Sequence, residues 1–238
     1  MKPKYKRIML KLSGEGLADG GEEMFSPAIA ADLVSQIKAV HNAGTDICLV
    51  IGGGNIFRGR SAPKGLPRSV ADQMGMMATV MNGLFLQEAL KKADLDVRLM
   101  SSLDVPKVCE SYVYEKAAGY LEKRRIVIFA GGTGNPFFTT DSAATLKAAE
   151  MNCDVVLKAT QVDGVYDSDP KKNPNAKRYE AVSFDEAIQK ELKVMDTTAL
   201  ALARENNIPI VVFAQSERNS LVDVVCGKGN FTVMRKEV

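Results

Sequence analysis

The chain has 238 residues, enough for one to two domains and a full core, with 46% hydrophobic and 25% charged residues, the proportions of an ordinary soluble globular protein. Lys and Arg number 31 against 29 Asp and Glu, so a net charge of +2 gives no field for nucleic-acid or membrane binding as the main business, and any phosphate chemistry must be local. No stretch reaches the roughly 18 apolar residues of a membrane span, and the run Ile8, Met9, Leu10 is cut by Lys11, too short for a signal-peptide core, so the expected location is the cytoplasm.

Residues 7–12 alternate Ile8, Leu10 and Leu12 with Arg7, Met9 and Lys11 and end at Ser13-Gly14-Glu15-Gly16, which predicts a strand followed by a loop, with Lys11 near the strand's carboxyl end. Ser26-Pro27 supplies a helix start, and Ile29, Leu33, Ile37 and Val40 continue at three- or four-residue spacing until Gly44. A strand over 46–51 runs into Gly52-Gly53-Gly54-Asn55, a long helix covers about 69–92, and a strand follows at 96–100. Residues 112–123 are helical in character, and the apolar strand 125–130 opens into Gly131-Gly132-Thr133-Gly134-Asn135-Pro136. A helix over 141–151, a strand over 154–159 containing Lys158, and an Asp/Asn/Lys/Pro loop over 163–177 come next. Helices over 183–191 and 196–206, a strand over 208–214, a short helix near 220–226 and a last strand near 231–235 complete the chain. Such alternation predicts an α/β, three-layer sandwich around a central, mostly parallel sheet, and the lack of a repeat or linker favours one compact unit, 1–238, with two lobes.

Three glycine-rich turns thus end three separate strands, at the edge where ligands bind open α/β sheets, and glycine lets backbone N–H groups approach phosphate oxygens. Each alone reads as a tight turn, but three on one edge point to a large anionic ligand. Neither a G-x-x-x-x-G-K-[ST] loop nor a G-x-G-x-x-G fingerprint opening the first helix is present. Lys11 and Lys158 sit in apolar strands, so each either turns to solvent on an edge or meets negative charge in a cleft, where two lysines would flank a transferred phosphoryl group. Asp141, Asp169 and Asp196 can orient those lysines or hold Mg2+ through water; alternatively Asp141 and Asp196 are helix N-caps and Asp169-Pro170 a turn. The four cysteines are far apart and read as reduced, buried thiols, and the single histidine, His41, reads as a solvated helix end, which disfavours Ser-His-Asp, Cys-His and multi-His metal mechanisms.

Along nearly its whole length the sequence closely resembles the bacterial uridylate (UMP) kinases of the amino acid kinase superfamily. The resemblance rests on Lys11-Leu12-Ser13-Gly14-Glu15, the run 51–59, Asp72 with Met74-Gly75-Met76, the run 78–83, the run 132–141, residues 154–160 with 162–166, and the run 190–196. It implies that Lys11, Leu12, Ser13 and Gly14 cover the ATP phosphates, that Lys11 and Lys158 bracket the transferred group with Asp141 orienting them, and that Asp196 joins the catalytic set. Gly54, Arg58, Thr160, Tyr166 and Asp169 would contact ATP; Gly53, Asp72 and Thr133, Gly134, Asn135, Pro136, Phe137, Phe138, Thr139 and Thr140 would hold UMP. The lobe before about residue 150 would take the monophosphate and the lobe from about 151 to 238 would take ATP, with no metal ligand assigned on the chain. Residues 17–25, where the family has an allosteric segment, are the least similar.

The implied activity is transfer of the γ-phosphoryl of MgATP to UMP in pyrimidine nucleotide (CTP) biosynthesis, with GTP activation, UTP inhibition and a homohexamer as further family traits. The alternatives are an acyl-phosphate-forming kinase of the same superfamily and a non-catalytic nucleotide or oxyanion binder. The helix through 74–89 also favours an oligomer: Met74, Met77, Met81 and Leu84 form the stripe expected to pack on the sheet, while Met76, Val80, Phe85 and Leu86 extend the apolar surface towards a second subunit.

Overall fold

A computed structural model describes residues 2–18, 24–57, 63–192, 194–216 and 219–238. Among the described residues nine strands form one sheet in the order β4-β3-β5-β2-β1-β6-β8-β9-β7. The central strand is β1 (Arg7–Leu12), flanked by β2 (Asp46–Ile51) and β6 (Val155–Thr160). On one side β5 (Ile126–Ala130), β3 (Val97–Ser101) and β4 (Glu110–Ser111) continue the sheet; on the other, β8 (Ile210–Ala214), β9 (Thr232–Arg235) and β7 (Ala181–Ser183) do so. Every pairing is parallel except β8 with β9. The chain leaves β1 for β2 on one side and later crosses to β6 on the other, which makes the β1/β6 seam a switch point, with a crevice at the strands' carboxyl ends.

Helices cover both faces, so the central strands are apolar on both sides. On one face α1 (Pro27–Asn42), α2 (Arg68–Lys91) and α7 (Ser220–Val225) pack Leu33, Ile37, Leu86, Leu90 and Val224 against Ile8, Leu10, Leu12 and Leu157. On the other face α3 (Tyr114–Glu122), α4 (Thr140–Glu150), α5 (Phe184–Gln189) and α6 (Thr197–Glu205) pack Leu121, Ala144, Ala148, Phe184 and Leu200 against Met9, Val127 and Val156. This is the three-layer sandwich expected from the sequence. Strand alternation decides where the lysines emerge: Lys11 shares the face of Met9 and Lys158 that of Val156, so both point towards α4.

Three readings change. Strands β4 and β7 fall where no strand is predicted, because two and three residues carry no usable period. On α2 the expected inner stripe divides: Leu84 packs partly buried against the core, but its three methionines face outward. Val80, Leu86 and Leu90 face the sheet, whereas Met74, Met77 and Met81 are 44%, 43% and 48% exposed. The inner face includes Thr79, Asn82 and Gly83, which interrupt the apolar pattern that would mark it in the sequence. Gly83 is bare because a Cβ there would lie 2.6 Å from Leu99 Cδ1. Among the cysteines, Cys48 and Cys153 are buried thiols, while Cys109 and Cys226 are half-buried.

Candidate active site

Lys11 and Lys158 are register partners on β1 and β6, side by side near the carboxyl end of the seam. Each is 9% exposed, so neither turns to solvent. The first turn of α4 places Asp141 between them: its Oδ2 accepts from Lys158 Nζ at 2.6 Å, and its Oδ1 forms an ion pair with Lys11 Nζ at 2.9 Å without the angle of an aligned hydrogen bond. Burial pushes the Asp141 carboxyl up, but the two ammonium groups outweigh it and hold the pKa below the ordinary value. Burial is the main influence on Lys158 and, with repulsion from Lys11, draws its pKa down against the pull of Asp141 and Asp196. Lys158 also donates to the Val194 carbonyl.

Asp141 lies inside the helix rather than capping it. The N-cap is Thr139, whose hydroxyl accepts from the N–H groups of Asp141 and Ser142 and donates to Asp196 Oδ2. Asp196 Oδ1 accepts from Ser142 Oγ at 2.8 Å and from Ala199 N–H at 2.9 Å, so this carboxylate caps α6 and ties it to the start of α4. The partially positive end of α4 thereby faces the crevice.

The turn after β1 interlocks with the turn after β2. A Cβ on Gly14 would lie 2.6 Å from the Gly52 carbonyl and 2.9 Å from Gly54 N, so only glycine permits the crossing. Thr140 reaches the same place, its Oγ1 3.7 Å from where a Gly52 Cβ would stand. After β5, Gly131, Gly132 and Gly134 take positive φ values of 74°, 57° and 80°, and the loop bends on through Phe137 at 71°. Thr133 and Asn135 bond one another across this bend. Asp72, in the second turn of α2, accepts the Phe137 N–H at 2.8 Å and is gripped by Arg68 Nε at 2.8 and 2.9 Å. Phe137 and Phe138 are 69% and 48% exposed, with the Arg68 guanidinium 5.8 Å from the Phe137 ring centroid.

On the other side of the triad a cavity of about 530 Å³ is lined by Lys158, Thr160, Gly164, Tyr166, Asp169 and Val212, among others. Tyr166 donates to Asp163 at 2.7 Å, the leading cause of its raised pKa. Asp169 both lines the cavity and closes its own turn by accepting the Lys171 N–H at 3.0 Å. The structure therefore brings Lys11, Lys158, Asp141, Gly14, Gly52–54, Thr139, Thr140 and Asp196 to one edge; Arg58 lies outside the described residues. His41 plays no part here: its Nε2 is 2.8 Å from the Arg124 carbonyl. Sequence reasoning missed Arg68, whose place one helical turn before Asp72 was a readable i,i+4 signal, and Ser142, which carried no signal.

The sequence model of the amino acid kinase family matches residues 6–214. The uridylate kinase of Paramagnetospirillum magneticum is 49% identical over 235 residues, covering 98% of each chain. That of Zymomonas mobilis is 50% identical over 237 residues, covering 99% of this chain and 98% of its own. The crystal structure of UMP kinase from Ureaplasma parvum matches with a TM-score of 0.94 at 40% identity, covering 99% of this chain and 100% of that one. The UMP kinase structure from Bacillus anthracis gives 0.94 at 38% identity, covering 98% and 97%.

The triad generates a prediction in the acid range. A carboxyl with a depressed folded pKa contributes stability that is complete above its unfolded pKa, about 3.9, and is lost as pH falls through the folded value. Asp141→Asn leaves two buried ammonium groups without their counter-charge, so urea denaturation at pH 7 should show a loss of about 3 kcal/mol. Below about pH 4 the wild type should lose stability more steeply than the variant. Parallel curves would mean that Asp141 is not held by charge.

Proposed function

Because this chain belongs to the amino acid kinase family, we propose that it is a uridylate kinase, transferring the γ-phosphoryl group of MgATP to UMP to give UDP and ADP. The observation that carries this reading is the buried Lys11–Asp141–Lys158 triad beside converging glycine turns, in a chain 49–50% identical to named uridylate kinases over nearly its full length. ATP takes the cavity around Thr160, Tyr166 and Asp169 in the lobe after about residue 150, its phosphates reaching Lys11, Leu12, Ser13, Gly14 and Gly54. Arg58 is assigned to ATP on the family resemblance alone. UMP takes the other lobe, with Gly53 and the 133–140 loop around it and Asp72 accepting from its ribose hydroxyls.

The chemistry asks for little beyond placement. The second pKa of a phosphate monoester is about 6, so at neutral pH a UMP oxygen attacks the γ-phosphorus without a base. The bond from that phosphorus to the β-phosphate oxygen breaks, and ADP leaves with the electron pair. Negative charge on the equatorial oxygens lies between the Lys11 and Lys158 ammonium groups, which Asp141 keeps aimed. Asp196 acts one step back, as a positioning residue for α4 and α6. Mg2+ enters on the nucleotide: no three metal-binding side chains converge among the described residues, and both oxygens of Asp141 and Asp196 are engaged, which suits a cation held mainly by phosphates.

The finer expectations belong to this proposal too: cytoplasmic location, pyrimidine nucleotide (CTP) biosynthesis, GTP activation, UTP inhibition and a homohexamer. Support for self-association is a groove lined by Ile56, Phe57, Val70, Met74, Met77 and Met81 on the outer side of α2, an apolar face that a second subunit would cover. An acyl-phosphate-forming kinase and a non-catalytic binder are not favoured, since neither has a use for both the triad and the Asp72–Phe137 clasp.

A coupled ADP-release assay tests the activity: UMP should far outpace CMP, dUMP, carbamate, aspartate and glutamate as acceptor, and faster release with carbamate would overturn the assignment. Asp72→Asn should raise the KM for UMP about tenfold and leave that for ATP nearly unchanged, whereas the reverse pattern would mean the two nucleotide sites are exchanged. Light scattering should show a species several times the 25.8 kDa chain mass; an active monomer at micromolar concentration would contradict self-association.

A further inference from the structure

We propose that Thr79 and Asn82 are positioning residues that set both acceptor-binding turns from the inner face of α2, an inference that rests on the uridylate kinase reading. Both are polar, are only 2% and 0% exposed, and lie in a face otherwise packed on the sheet. The Thr79 hydroxyl donates its single proton to the Met76 carbonyl at 2.7 Å, one turn back in the helix, which leaves a lone pair to accept the Gly131 N–H at 2.8 Å. Asn82 Nδ2 donates to the Gly52 carbonyl at 2.6 Å and to Asn55 Oδ1 at 2.7 Å, and its Oδ1 accepts from Asn55 Nδ2 at 3.1 Å.

Gly52 and Gly131 are the first residues beyond β2 and β5, where the chain leaves the sheet and its backbone groups need new partners. One turn of α2 supplies them for both. Between the two bonds the Gly53 backbone lies flat on the same turn, since a Cβ there would stand 2.8 Å from Ala78 Cβ and from the Gly75 carbonyl. A helix that bonds both turns fixes their separation, and that separation is the width of the slot left for UMP. None of the residues lining the ATP cavity comes from α2. The Thr79 bond therefore acts on the acceptor and not on the donor, whereas the Asn82 bond holds a turn that also carries Gly54 and meets Gly14.

The test is a split between two KM values. The wild-type enzyme is first assayed with UMP; if it transfers no phosphoryl group to UMP, the functional reading fails and not this inference. Given activity, Thr79→Val, which keeps the shape and removes the acceptor, should raise the KM for UMP about tenfold, with the KM for ATP within about twofold of wild type. Thr79→Ser should restore most of the affinity, because the hydroxyl returns. Thr79→Ala carries the same expectation as Thr79→Val if the bulkier variant does not fold, and Asn82→Ala should also raise the KM for UMP. Leu90→Ala weakens the same helix at its far end and should leave the KM for UMP unchanged despite a lower Tm. The proposal is overturned if the Thr79 and Asn82 variants keep a wild-type KM for UMP, if both KM values rise together in Thr79→Val, if Thr79→Ser fails to rescue, or if Leu90→Ala raises the KM for UMP as much.

Discussion

Two lysines at the same level of adjacent parallel strands, both buried, form the arrangement on which the rest of the molecule depends. Parallel strands run about 4.8 Å apart, so their ammonium groups repel in a place that also strips their water. At an effective dielectric constant of 20, a repulsion across about 5 Å is near 3 kcal/mol, and an attraction at under 3 Å is nearer 6. The two contacts of Asp141, at 2.9 and 2.6 Å, therefore outweigh the repulsion and make the burial tolerable. One carboxylate against two ammonium groups still leaves a surplus of one positive charge. In the proposed reaction, that surplus is what an incoming phosphoryl group would meet.

Much of the surrounding architecture serves to put Asp141 there. Thr139 caps α4, Asp196 grips Thr139 and Ser142 while capping α6, and the Val194 carbonyl takes a further proton of Lys158. The parity of β1 and β6 sends both lysines to the α4 face and leaves Leu10, Leu12, Leu157 and Ala159 for the opposite core. A strand slipped by one residue would bury a lysine among those side chains instead. Register, helix capping and charge placement are therefore one constraint seen at three levels.

The layered fold and the triad were legible in the chain because their signals are local. Ile8, Leu10 and Leu12 alternate, Gly14, Gly52 and Gly131 each end a strand, and Lys11 and Lys158 interrupt apolar runs. What the sequence hid is tertiary. It allowed Asp141 to be read as a cap, since an acidic residue at a helix start is ambiguous until the neighbouring threonine is seen to accept the N–H groups. It pointed three methionines of α2 inward, because Thr79, Asn82 and Gly83 are buried for polar bonding and close approach rather than for hydrophobicity. Strands β4 and β7 are held at the sheet edges by their neighbours and have no periodicity of their own. The hold of Arg68 on Asp72 was within reach, at a spacing of four residues on one helix face.

The account stands on the two lysines acting together on the transferred group, and a kinetic cycle reaches that claim most directly. Turnover with saturating UMP and MgATP would be measured for folded Lys11→Ala, Lys158→Ala and the double variant. The account predicts that each single change lowers kcat by about 100- to 1000-fold with little change in either KM, and that the double variant is scarcely slower than the worse single, because the pair works as a unit. A folded Lys158→Ala protein with near wild-type kcat would contradict it.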